Sequence, residues 1–129
     1  MTWTIEYYEQ TDSTQPAEVF EDALDRTHPK LSAKLARFVE QLEVFGPQLG
    51  GGYLESCHGY AGLWELRAIY SQWLARELLG FDQNRVVLLH GYVKRGGEPA
   101  STPDLTLAGN YWQDYLRTRR ISPIQEEEQ

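Results

Sequence analysis

Three runs rich in apolar and aromatic residues, Leu63–Tyr70, Trp73–Phe81 and Arg85–Lys94, follow one another closely in the second half of the chain. Strands spaced this closely are joined by hairpins, so this stretch is confined to an antiparallel arrangement. Asp82-Gln83-Asn84 supplies a natural turn between the second and third runs. The middle run has a rival reading as a helix, because Leu74, Leu78 and the string Ala75-Arg76-Glu77-Leu78-Leu79 have good helix propensity. Only its hairpin context favours a strand.

Helices are expected around this sheet. Pro16 suits a first helical turn, and Val19, Phe20, Ala23 and Leu24 recur at helical spacing before Thr27-His28-Pro29 breaks the run. Leu31, Leu35, Phe38, Leu42 and Phe45 then step by alternate fours and threes, which places all five on one stripe until Gly46-Pro47 stops the helix. The pair reads as an antiparallel helical hairpin. Ahead of it, Trp3–Tyr8 reads as an opening strand that enters the sheet later. The glycine-rich segment 46–62 shows little periodicity and is expected to be a mobile loop or a poorly marked strand around Tyr53-Leu54. After a loop at Arg95–Ser101, Thr102 as N-cap and Pro103 at the first helical position open a last helix carrying Leu105, Ala108, Trp112, Tyr115 and Leu116. Residues 121–129 read as a frayed tail.

At 129 residues, 41% hydrophobic and 24% charged, the chain has the size of one domain, taken as 1–129. A formal net charge of -7 argues against a protein that coats nucleic acid through bulk charge. The acidity is uneven: residues 1–66 hold four basic and eleven acidic side chains, residues 67–120 eight basic and five acidic. A local positive face is therefore possible in the second part, since screening confines charge effects to roughly 8 Å. No apolar run reaches the roughly 18–20 residues needed to span a bilayer, and the opening residues lack a signal-peptide pattern. A cytoplasmic location without membrane contact is expected.

Several chemistries lack their motifs. Gly50-Gly51-Gly52 is not followed by Lys-Ser/Thr, so it is no phosphate loop, and no Gly-x-Gly-x-x-Gly opens a helix. There is no Gly-x-Ser-x-Gly. His28, His58 and His90 have no ligand spacing, and Cys57, the only cysteine, excludes an internal disulfide. Neither metal nor cofactor is expected.

The strand alternation does gather polar groups. It places His90, Tyr92 and Lys94 on one side of the third run and Val87, Leu89 and Val93 on the other. Glu65 and Arg67 share a face opposite Trp64, Leu66 and Ala68, and Arg76 lies with Leu74 and Leu78. Three neighbouring strands thus converge Arg67, Arg76, His90, Tyr92 and Lys94 on one sheet surface. A purely structural role stands beside this one, with Glu65 paired to Arg67 or Arg76 across strands and His90 a satisfied, partly buried histidine.

The order Gly62-Leu63-Trp64-Glu65-Leu66-Arg67, Leu74-Ala75-Arg76, Leu88-Leu89-His90-Gly91-Tyr92-Val93-Lys94-Arg95, Thr102-Pro103 and Ala108–Tyr115 resembles the phage-derived, HigB-like branch of the RelE/ParE toxin superfamily. The resemblance spans residues 20–117 loosely and 62–115 well. It implies an α+β fold, with an N-terminal helical hairpin packed on a curved, mainly antiparallel sheet and a C-terminal helix. It further implies the toxin of a type II toxin-antitoxin pair, a ribosome-dependent mRNA endonuclease in which a ribose 2′-hydroxyl attacks the adjacent phosphate without metal. Arg67, Arg76 and Lys94 would then stabilise the pentacoordinate phosphate. Lys94, Arg95 and Arg85 would contact RNA, and the proton-transfer groups would come from His90, Tyr92, Tyr111 and Tyr115, since arginine cannot act as a base. Glu77 is expected to add a negative charge close to that phosphate. The implied partners are mRNA on the ribosome and a cognate antitoxin that covers the basic face and buries exposed apolar groups such as Trp73. Two other readings share the fold: a non-catalytic toxin-like protein of phage or host that binds a partner, and a gyrase-directed, ParE-like toxin.

Overall fold

The computed structural model describes residues 2–119. It contains strand β1 (Thr4–Tyr7), helices α1 (Pro16–Thr27) and α2 (Pro29–Phe45), strands β2 (Leu54–Ser56), β3 (Trp64–Tyr70), β4 (Trp73–Asp82) and β5 (Arg85–Arg95), and helix α3 (Thr102–Thr118). The strands form one five-stranded sheet in the order β1-β5-β4-β3-β2, antiparallel except where β1 runs parallel to β5. This is the expected α+β architecture. The rival helix at Trp73–Phe81 does not form, because β4 is the central strand and satisfies its backbone on both sides, against β3 and β5.

The sheet separates two apolar cores. On one face α1 and α2 bury Leu24, Leu31, Leu35, Phe38 and Leu42 against Leu66, Ala68, Ala75, Leu79, Val86 and Leu88. On the other, α3 buries Ala108, Trp112 and Tyr115 against Leu63, Leu78, Val87 and Leu89. Close packing of α3 depends on Gly80, where an added Cβ would lie 2.5 Å from the Trp112 ring. The helical stripes are shorter than their spacing predicts. Phe45 ends α2 and is 51% exposed, and Val19 on α1 is 56% exposed, because neither projects over the sheet. Leu116, in the last turn of α3, is also exposed.

Other boundaries shift slightly. Ser101, rather than Thr102, caps α3: its Oγ accepts from the Asp104 amide, and Thr102-Pro103 fill the first turn. The segment 46–62 resolves into a 3₁₀ turn at Gly46–Gln48 and the edge strand β2, so the poorly marked strand is the reading that holds. Its signal is weak because β2 has only three residues and buries only Leu54 among them. The expected tail at 121–129 lies outside the described residues.

A β-bulge decides which side chains meet. Leu78 of β4 pairs with His90, while the next residue, Leu79, pairs with Leu88, so Leu89 is the extra residue on β5. Strict alternation would send Val87 and Leu89 to the face opposite His90 and Tyr92. Instead Val87, Leu89 and Tyr92 all join the α3 core, and Leu88 and Val93 face α1 and α2.

Candidate functional site

The register brings the expected polar residues into one patch. Arg76 pairs with Arg67 on β3 and with Tyr92 on β5, Leu74 pairs with Lys94, and Leu78 pairs with Glu65 and His90. Directly paired residues share a face, so Glu65, Arg67, Arg76, His90, Tyr92 and Lys94 all lie on the α3 side. α3 itself packs further along the strands, over Leu78, Gly80, Val87 and Leu89. The rows containing Arg76 and Lys94 extend beyond that packed region.

Charge on this patch is balanced. Arg76 Nη1 donates to both oxygens of Glu65 at 2.9 Å, and both side chains are largely buried. Arg67 bonds Glu55 on the edge strand, donates to the Gly52 carbonyl at 3.1 Å and lies 3.9 Å from Glu65. The cross-strand pairing of Glu65 is therefore real, and it shapes the site: over Glu55, Glu65, Asp104, Arg67, Arg76 and Lys94 the formal charges cancel with His90 neutral. Two features still favour an anion. Arg76 Nε is buried and donates to no partner among the described residues, and no ion pair ties Lys94 there.

His90 is held from outside the sheet. Its Nε2 lies 2.7 Å from Asp104 Oδ1, while Asp104 Oδ2 accepts from the Ser101 hydroxyl at 2.5 Å. The carboxylate only accepts, so it fixes the proton on Nε2 and leaves Nδ1 for chemistry. The Tyr111 ring stands edge-on to His90 at 6.2 Å. His90 and Arg76 are diagonal neighbours across β4 and β5, a spacing of roughly 7–8 Å that their side chains can bridge. Tyr92 Oη accepts from the Ser101 amide at 3.3 Å. Burial raises the Tyr92 phenol above its ordinary value, and the same cause raises Tyr111, so both are proton-bearing groups at neutral pH.

Other expected members lie elsewhere. Tyr115 is fully buried and donates to Asp82 at the β4–β5 turn, at 2.8 Å. Arg85 donates to the Tyr115 hydroxyl at 3.4 Å. Asp82 is six residues along β4 from Arg76, about 20 Å, so neither Tyr115 nor Arg85 joins the patch. Arg95 lies over the Trp73 ring on the α1–α2 face. Glu77 does not approach the phosphate site. It points to the opposite face, fully buried near Glu21, where burial first and the Glu21 charge second push its pKa well up. Burial pushes the Cys57 thiol up to about 12, which disfavours its thiolate form.

Glu65 and Asp104 are the residues that reasoning from sequence assigned no part in proton transfer. Glu65 was visible as a polar residue on the right face. Asp104 carried no signal, because its contact with His90 spans the loop between β5 and α3. Among the described residues no group of three or more His, Cys, Asp and Glu is arranged to hold a metal, and no helix is long and apolar enough to cross a membrane.

Residues 22–112 match the family model described as phage derived protein Gp49-like (DUF891), over two thirds of the 129 residues. A comparison with curated proteins gives no match. The matched span covers both polar blocks, Glu65–Arg67 and His90–Lys94, and the chain belongs to this Gp49-like family, which is of the RelE/HigB toxin type.

Proposed function

We propose that this Gp49-like protein is the toxin of a type II toxin-antitoxin pair, of the HigB-like branch, and that it cleaves mRNA on the ribosome. The whole chain, 1–129, would act as one domain in the cytoplasm. The observation that carries the reading is the convergence of Arg76, Lys94 and Tyr92 on the part of the sheet beyond α3, with Glu65 and the Asp104-held His90 on either side.

The chemistry follows from those positions. The 2′-oxygen forms a bond to phosphorus while the bond from phosphorus to the 5′-oxygen breaks, leaving a cyclic phosphate and a 5′-hydroxyl. Glu65, a carboxylate that can only accept, takes the 2′-hydroxyl proton. His90 enters the step doubly protonated, with its Nε2–H on Asp104, gives its Nδ1 proton to the departing 5′-oxygen and ends as the neutral Nε2–H form. The Arg76 guanidinium and Lys94 stabilise the charge on the non-bridging oxygens, and the Tyr92 hydroxyl donates to one of them.

Cleavage mapping of a reporter mRNA in a reconstituted translation reaction tests this, with wild type, Lys94→Ala and a ribosome-free control. Cuts made only by wild type and only with ribosomes support the proposal. Folded protein that cuts nothing rejects it. Engagement of both arginines by Glu55 and Glu65 favours, as a second reading, a binding face for a partner; growth inhibition without RNA cuts would point to a gyrase-directed toxin.

A further inference from the structure

At the turn end of the β3–β4 hairpin, where Ser71 and Gln72 join the paired Tyr70 and Trp73, lies a pocket of about 340 Å3. Ligand pockets begin at roughly this size. Its walls are His28, Pro29, Lys30 and Leu31 from the α1–α2 junction and Tyr70, Ser71 and Trp73 from the hairpin. No carboxylate lines it, in a chain whose net charge is -7. Aromatic faces and cations alternate around it: His28 stands edge-on to Trp73 at 5.0 Å, the Arg95 guanidinium lies 5.2 Å from the Trp73 ring centroid, and Lys30 Nζ lies 5.8 Å from that of Tyr70. Lys34 is anchored alongside by its bond to the Ile69 carbonyl at 2.7 Å.

We propose that this pocket takes an unpaired nucleobase of single-stranded RNA, flanking the reacting phosphate. The assignment rests on the endonuclease reading of the sheet face. Flat aromatic surfaces accept any base by stacking, and the surrounding cations suit its phosphates. Trp73 is three residues from Arg76 on β4, about 10 Å, and its neighbour Leu74 pairs with Lys94. Trp73 faces α2 while Arg76 faces the other side, so the RNA passes around the turn end of the β3–β4 hairpin with Lys94 and Arg95 beside its path.

The test uses the full chain and a single-stranded oligoribonucleotide carrying 2′-O-methyl groups throughout, which removes the nucleophile and prevents cutting. Binding is read by anisotropy and by quenching of tryptophan fluorescence. Trp73→Leu is expected to abolish the quench and weaken binding about tenfold. Tyr70→Ser, at a residue 43% exposed, is expected to weaken it similarly while the melting temperature stays close to that of wild type. An abasic version of the oligonucleotide should bind wild type as weakly as the variants bind the intact one. Absence of wild-type binding overturns the proposal, as does equal affinity for intact and abasic strands. Unchanged affinity in Tyr70→Ser also overturns it and leaves the pocket to an apolar side chain of a protein partner. Base-dependent binding together with uncut mRNA in the translation reaction would keep the pocket and reject the nuclease.

Discussion

His90 and Asp104 meet across the loop that joins β5 to α3, with Nε2 and Oδ1 2.7 Å apart. The contact turns a strand histidine into a group with a fixed tautomer. Asp104→Asn keeps the size of the side chain but offers an amide, so the imidazole loses its specified proton position. mRNA cleavage is expected to fall about 100-fold or more, the scale of one general acid or base. Thermal unfolding should change little, and a cleavage rate within threefold of wild type would remove His90 from the reaction.

Lys94→Ala and Arg76→Ala separate charge from architecture. Lys94 has no ion pair among the described residues, so its loss should reduce cleavage and growth inhibition by about 100-fold with folding intact. Arg76→Ala should reduce activity as strongly and also destabilise the fold, because it strands the buried Glu65 carboxylate. Urea unfolding of the two variants, with the Glu65→Gln/Arg76→Ala double variant, measures the pair. Equal midpoints for wild type and Arg76→Ala would contradict the observed Glu65 contact.

Tyr115→Phe distinguishes the two ends of the sheet. Its hydroxyl serves Asp82 and Arg85, about 20 Å from Arg76. The variant should lose about 1 kcal/mol of stability and retain full cleavage. A large loss of activity in a folded variant would return Tyr115 to the site.

Glu77 makes stability depend on pH. Its folded-state pKa lies above the ordinary value of 4.5, so the protonated form is favoured by the fold. That contribution is fully present below about 4.5 and is lost as pH rises through the folded value. Glu77→Gln keeps the shape without the charge, and at pH 8 it should be more stable than wild type by about 1 kcal/mol or more. Melting temperatures from pH 4 to pH 9 check this: the wild-type curve should fall relative to the variant's as pH rises.

Much of this was legible from the chain. The strand runs, the α1–α2 break at His28-Pro29 and the buried stripe Leu31, Leu35, Phe38 and Leu42 follow from spacing, because burial against a sheet demands apolar groups at the helix period. The shared face of Arg67, Arg76, Tyr92 and Lys94 was legible for the same reason, since strand alternation has a period of two.

What alternation cannot show is where it slips. One extra residue at Leu89 moved Val87 and Leu89 to the α3 side, a choice set by apolar packing beneath Trp112 and Tyr115 rather than by any local motif. Register likewise set Arg76 against Glu65, so that two cations counted along the chain became members of a neutral network. Sequence by itself determined the α1, α2 and α3 stripes and the shared face of Arg67, Arg76, Tyr92 and Lys94, because those depend on local period. Only the tertiary structure decided which charges are paired, that Glu77 is buried away from the site and that Asp104 holds His90, because those contacts join segments whose approach no local pattern encodes.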